Sequence, residues 1–298
     1  MRTVLRSLFI GVVAIHGLIH LMGVAEGLGI ADVDQLTEPI GVLTGLLWLV
    51  AAIGVLATAV LVMLRSRWWW IVSAAAAVVS QTVILTSWDD AKAGSVVNLL
   101  MLLAAGYGYA AQGPRSLRAE YRRRVDAALG QSPTTAIVTD GDLKTLPAPV
   151  AEYVRRSGAV GRPRVAGFRA GIRGRIRSGP DKPWMEFTGE QVNYYGPNPT
   201  RLFFMDATRF GLPVDVLHCY ADHAATMRGR LCSALPVVTA AGPEMTRAET
   251  VTLFNDICFM APAALVDAPV SWESVDEHRV RGSYTVGEQT VSADLVFG

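Results

Sequence analysis

Four stretches of this chain are each long and apolar enough to form a helix that spans a bilayer. A hydrocarbon core about 30 Å thick needs roughly 20 apolar residues in a helix. Residues 7–25, 40–64, 68–88 and 93–112 meet that length. The first has no Asp, Glu, Lys or Arg. Trp68, Trp69 and Trp70 open the third and Trp88 closes it, while Tyr107 and Tyr109 stand near the end of the fourth. Such aromatic ends suit the headgroup level. The first stretch reads as a retained span and not a cleaved signal peptide, because it is long, lacks an A-x-A-like site and is followed by further spans.

Charge is segregated in the same way. Of 27 Lys and Arg, five lie in residues 1–112, and of 26 Asp and Glu, six do. The remainder has the composition of an ordinary soluble domain, so a plain cytosolic enzyme, a disordered chain and a disulfide-rich module are excluded. The formal charge of +1 gives no ground for nucleic acid as a partner. Arg2 and Arg6, then Arg65 and Arg67, then Arg115, Arg118, Arg122, Arg123 and Arg124 mark one side of a four-span bundle. Glu26, Asp32, Asp34, Glu38, Asp89 and Asp90 mark the other. The bias predicts an inner-membrane protein with the N-terminus and the C-terminal domain cytoplasmic. Cys219, Cys232 and Cys258 are an odd set without metal-ligand spacing, as expected of reduced thiols.

Polar residues inside a span are costly and draw a functional reading. His16 and His20 are one turn apart on one helix face, and Gln81 and Asn98 lie in spans three and four. Two readings stand. In one, His16 and His20 with Asp89 or Asp90 hold a metal or a redox cofactor such as a quinone or haem edge, making a membrane enzyme or redox component. In the other, the histidines bond to Gln81, Asn98 or backbone and hold the bundle together. Gly41 with Gly45, and Ala104 with Gly108, are small-residue pairs suited to contacts within the bundle.

Residues 114–146 read as a basic amphipathic helix and a linker. Leu117, Tyr121, Val125 and Leu129 form its apolar stripe, placed against the membrane surface, and Gly130, Gln131, Ser132 and Pro133 mark the linker. Residues 147–298 then read as a β-rich soluble domain. A short helix at 147–157 precedes a strand at 168–177, where Phe168, Ala170, Ile172, Gly174 and Ile176 alternate with Arg169, Gly171, Arg173, Arg175 and Arg177. Strands follow at 184–195, 200–206, 213–220 and 224–232, then a helix at 246–259, then strands at 270–275, 279–286 and 289–297. Thr246 to Glu249 has the pattern of a capping box, and Val251, Phe254, Ile257 and Cys258 are assigned to its apolar face. The predicted fold is a four-helix transmembrane bundle (1–113) followed by a curved antiparallel sheet with one or two packed helices. The nucleophile-elbow, phosphate-loop, dinucleotide and H-E-x-x-H motifs are absent, so the reading leans away from an enzyme.

Several segments carry a resemblance: LPAPVAEYVRRSGAVGRPRV, WMEFTGEQ, LFFMDATRFGLPVDVLH and AGPEMTRAETVTLFNDICFMAPAAL, with SWDDAKAGSVVNLL in the membrane part. They resemble a family of bacterial proteins of unknown function, frequent in actinobacteria, whose members carry this soluble block with or without the spans. The resemblance implies no activity, and it implies a chain continuing past the last strand. The soluble half is also similar in pattern to lipid-carrier folds of the LolA and LppX kind. The function expected is therefore binding of a hydrophobic or amphipathic small molecule, such as a lipid, in a groove of the sheet. Arg169, Arg173, Arg175 and Arg177, with His218 and the run Arg122, Arg123 and Arg124, would hold its anionic head, and membrane lipids are the expected partners. A membrane-anchored protein-interaction module is the remaining alternative.

Overall fold

The computed structural model describes residues 2–129, 136–177 and 179–298, so the expected linker at 130–133 lies outside the described residues. The chain divides into two compact units, Met1–Ser116 and Leu117–Gly298.

The first unit consists of α1 (Arg2–Gly27), α2 (Val42–Met63), α3 (Trp69–Thr86), the single turn α4 (Trp88–Ala91) and α5 (Gly94–Gln112). Four helices are long and apolar enough to cross a membrane. α1 packs on α2, α2 on α3 and α3 on α5, which also meets α1. Their outward side chains are Leu8, Ile15, Leu43, Ile53, Leu85 and Leu103, each more than half exposed. A continuous apolar exterior of this kind is unstable in water and stable in lipid.

Inside, small residues set the spacing. Gly45 of α2 lies against the α1 backbone, where a Cβ on Gly27 would stand 2.6 Å from the Gly45 Cα. Of the expected pair Gly41 and Gly45, Gly45 makes the contact within the bundle, against Gly27, while Gly41 meets nothing within 4 Å. Gly108 of α5 receives the Trp70 side chain, whose Cβ would be 2.5 Å from an added methyl.

The second unit opens with α6 (Leu117–Leu129), a 3-10 turn (Asp142–Thr145) and α7 (Ala148–Arg156). A six-stranded meander follows: β1 (Gly167–Ile176), β2 (Met185–Tyr194), β3 (Thr200–Arg209), β4 (Leu212–Ala221), β5 (Ala224–Leu231) and β6 (Leu235–Ala241). All neighbours are antiparallel and in sequence order, with β1 and β6 at the edges. Then come α8 (Pro243–Met260), a 3-10 turn (Pro262–Val266) and a separate antiparallel sheet of β7 (Val270–Ser274), β8 (Arg279–Val286) and β9 (Gln289–Val296). The expected sheet is thus two open sheets, and β6 is a strand the sequence pattern did not mark.

Each face of the large sheet takes a helix. On one face, Leu117, Tyr121 and Val125 of α6 are buried against Val192, Leu202, Phe204, Leu217 and Cys219. The stripe placed against a membrane surface is therefore spent on the sheet. Polar contacts frame it: the Arg118 guanidinium donates to Asp206 (3.2 Å), the Tyr121 hydroxyl donates to Glu190 (2.9 Å), and Arg228 pairs with Glu120 (2.6 Å). On the other face, α8 joins α7 and the small sheet in a core that includes Val154, Leu253, Phe254, Ile257, Val280 and Tyr284. The Phe254 and Tyr284 rings stack at 5.4 Å, and the Tyr153 hydroxyl donates to the Cys258 carbonyl at 2.7 Å.

The capping box is not used as one. Gly242, at φ 96°, and Pro243 start α8 three residues earlier than Thr246. Thr246 is thereby inside the helix, and its hydroxyl accepts from the Ala225 N–H at 3.1 Å. Phe254, Ile257 and Cys258 of the expected face are buried, but Val251 is 40 % exposed, and Thr246, Glu249, Thr250 and Leu253 complete the inward face.

Leu117 is 2 % exposed, and Leu117→Ala removes a side chain that α6 inserts into the sheet. It should cost about 3 kcal/mol. Hydrogen exchange of the full chain checks this, with lost protection expected in β3 and β4.

Candidate functional site

Two groups of buried polar side chains stand out, one in each unit. In the helical unit, six residues from three helices form a continuous chain. The His16 carbonyl can only accept, so His20 donates to it from Nδ1 at 2.9 Å. The neutral His20 Nε2 then accepts from the Ser80 hydroxyl at 2.8 Å. His16 Nε2 donates to Asn98 Oδ1 at 3.1 Å and lies 3.3 Å from Ser80 Oγ. Asn98 Nδ2 donates to Gln81 Oε1 (3.1 Å), and Gln81 Nε2 to Ser95 Oγ (3.0 Å). In lipid each of these groups would be expensive if left unpaired.

Asp89 and Asp90 go elsewhere. Asp89 pairs with Lys92 at 3.5 Å on the surface. Asp90 accepts from the Thr37 N–H and hydroxyl, both at 2.7 Å, and from the Glu38 N–H at 3.1 Å, tying the first loop to α4. The Thr37 hydroxyl, with the Glu38 and Thr37 amides, holds the Asp90 carboxyl below its usual range. Among the described residues no three His, Cys, Asp or Glu side chains are grouped to hold a metal ion. The structure therefore joins His16 with His20, and Asp90 reaches the same region only as a wall residue of a shared cavity.

In the β unit, Arg201 is the centre. It is 6 % exposed, on β3 beneath α8. Its Nη1 donates to Glu249 at 2.7 Å and its Nε to Asp256 at 2.8 Å. Gln191 and Asn193 of β2 donate to the same Asp256 oxygen at 2.6 and 3.0 Å. His218 Nδ1 meets the other Glu249 oxygen at 2.9 Å. Burial alone would raise the Glu249 carboxyl, but the His218 hydrogen bond and the Arg201 charge outweigh it and hold it below the ordinary value. His218 Nε2 has no hydrogen-bond partner among the described residues, and its ring lies 5.9 Å from Phe203. A histidine fixed through Nδ1 by a carboxylate can offer Nε2 to a ligand as donor or acceptor.

The register separates the expected ligand residues. Arg169, Arg173 and Arg175 alternate onto the α6 side of the sheet, whereas His218 faces α8. Arg169 pairs with Glu190 at 2.7 Å, Arg175 is opposite Glu186, and Arg175 and Arg177 lie over the Trp184 ring at 5.8 and 4.6 Å. Sequence reasoning missed Arg201, Glu249 and Asp256 as a group. The available signal was helical: Glu249, Leu253 and Asp256 share one face of α8, so two acids in an inward stripe demand a buried cation.

A bundle of membrane-spanning character joined to an antiparallel β unit with charged residues under its helix defines a membrane protein with a separate β domain. The chain belongs to the family of unknown function DUF6544, which matches residues 136–298. No curated protein and no solved structure matches it.

Arg201→Met leaves two carboxylates buried without their cation and should cost about 3–5 kcal/mol. The pH dependence follows from Glu249. Its carboxyl is held below the ordinary value of a free glutamate, so its stabilising share is present above that value and is lost as pH falls through the folded value. Glu249→Gln should therefore flatten the acid limb of the unfolding profile, measured by denaturant titration of the β unit's signal between about pH 3 and 7.

Proposed function

We propose that this membrane protein uses its β unit to bind a hydrophobic or amphipathic molecule of lipid class. The observation that carries the reading is the uneven cover of the α8 face of the large sheet. α8 lies over the end that holds Asn193, Arg201, Tyr220 and Ala225. Beyond it, Phe187, Phe203, Val216 and Leu231, half-buried, pack with the buried Met205, Ala207 and Val214 in a cluster made of strand side chains alone. Ile172 continues this floor half-buried, and Ile176 is 37 % exposed at its edge. Phe203 lies across Gly189, where a Cβ would be 2.6 Å from its ring.

A chain of about ten carbons laid on this floor would gain roughly 8 kcal/mol from burial, before the costs of association. The polar end of the molecule has two supports. His218 offers Nε2 at the border between the floor and the Arg201 cluster. The arginines of the edge strand, Arg173, Arg175 and Arg177, are exposed and could close on an anionic head over the edge of β1, with Arg169 held by Glu190. Orientation belongs to the same reading. Arg65, Arg67 and Arg115 lie at one end of the spans and Glu26, Asp32, Asp34 and Asp89 at the other, which supports a cytoplasmic β unit in an inner membrane.

Photo-crosslinking of the full chain in nanodiscs with a diazirine fatty acid tests this. The expected result is labelled peptides from β2, β3, β4 and β5, lost on Leu231→Glu with the circular dichroism unchanged. Labelling confined to the helical unit overturns it.

A further inference from the structure

A cavity of about 400 Å³ opens in the helical unit where the first loop crosses the ends of the helices. Its walls are mostly apolar, with Val12, Ile15, Ile19, Met22, Ile84 and Val97 among them. His16, His20 and Trp48 also line it, and Gln35 and Leu36 of the first loop close over it. Two unspent hydrogen-bonding groups stand here, one in this wall and one shut away behind it. The first is an acceptor. The proton of His16 is on Nε2, directed to Asn98, so Nδ1 keeps a bare lone pair with no partner among the described residues. Gly94 keeps that ring open to the cavity: a Cβ there would stand 2.9 Å from His16 Cε1. The second is a donor. The Trp48 side chain is 3 % exposed, and its buried indole N–H meets no acceptor among the described residues. A buried donor left unmade costs about 1–3 kcal/mol.

We propose that this cavity binds a neutral, hydroxyl-headed, membrane-soluble amphiphile, of the class of an isoprenoid alcohol or a quinol. A hydroxyl is the simplest group that answers the first, because its proton goes to His16 Nδ1. The body of such a molecule matches the apolar walls, and it reaches the cavity through the lipid. Charge selects the neutral form. No Lys or Arg lines the cavity, so an anionic head finds no counter-ion there. The one carboxylate in the wall, Asp90, already holds Thr37 and Glu38 through both oxygens, which leaves little for an ammonium head. The site lies within the helical unit and is independent of the sheet reading.

Equilibrium binding to the full chain in nanodiscs tests it, with radiolabelled farnesol as the probe and empty nanodiscs as background. Decylubiquinol, decylubiquinone and oleate are the competitors. Saturable farnesol binding is expected, and displacement by decylubiquinol shows whether a quinol shares the site. Decylubiquinone lacks the O–H and should compete at least about tenfold less well than its quinol, the worth of one hydrogen bond. Oleate should not compete. His16→Leu should weaken farnesol binding about tenfold, and Val97→Phe, which fills the cavity from a half-buried wall position, should abolish it. Folding of both variants is checked by circular dichroism. Absence of a saturable component with the folded wild type overturns the proposal. So does oleate competing as well as farnesol, or farnesol binding to folded Val97→Phe as to wild type. Should either variant fail to fold, the quinol and quinone comparison on the wild type decides alone.

Discussion

The β unit depends on one buried cation. Arg201 stands near the end of an inner strand of the large sheet, and burying a guanidinium there is tolerable only with its charge balanced and its donors placed. Glu249 and Asp256 come from α8, two turns apart, so the guanidinium fixes both the position and the rotation of that helix. Asp256 also takes Gln191 and Asn193, which brings β2 into the same lock. With α8 fixed over one end of the sheet, the other end is packed by strand side chains such as Phe187, Phe203, Met205 and Leu231. How far α8 reaches across that face follows from where Arg201 sits.

The helical unit follows the opposite rule. Its outer surface gives no packing information, since lipid accepts any apolar side chain, and specificity has to come from close backbones and from polar groups. Gly27 against Gly45 supplies the first. The chain through His20, His16, Asn98, Gln81 and Ser95 supplies the second, and Ser80 supports both histidines. The hydrogen bonds of both histidines match the bonding reading of the pair.

Much of this architecture was legible in the sequence because it depends on length and period. The four spans are apolar runs whose ends agree with the helices to within a few residues, except that α1 begins earlier. The alternation of arginines with apolar residues identified β1 for the same reason. What could not be read depends on partners distant in the chain. The stripe of α6 has the same pattern whether it meets a sheet or a membrane. β6, Leu-Pro-Val-Val-Thr-Ala-Ala, carries a proline and no alternation, and its pairing breaks register between Gly229 and Arg230. Thr246 and Glu249 have the spacing of a cap, yet Gly242 and Pro243 start the helix sooner and free both side chains for tertiary bonds. Arg201 offers no local sign of burial, since a single arginine beside Leu202, Phe203 and Phe204 also fits an exposed strand position.

An open sheet has two free edges, and each presents unpaired amides and carbonyls to any other strand that approaches. Here the edges are guarded by different means. β1 carries Arg169, Arg173 and Arg175, whose mutual repulsion penalises stacking of a second copy alongside. β6 carries Pro236, which has no N–H to give, and the register shift beside it spoils the flat ladder another strand would need. Charged edges and a proline of this kind disfavour the pairing of one sheet edge with another, whatever else the arginines do.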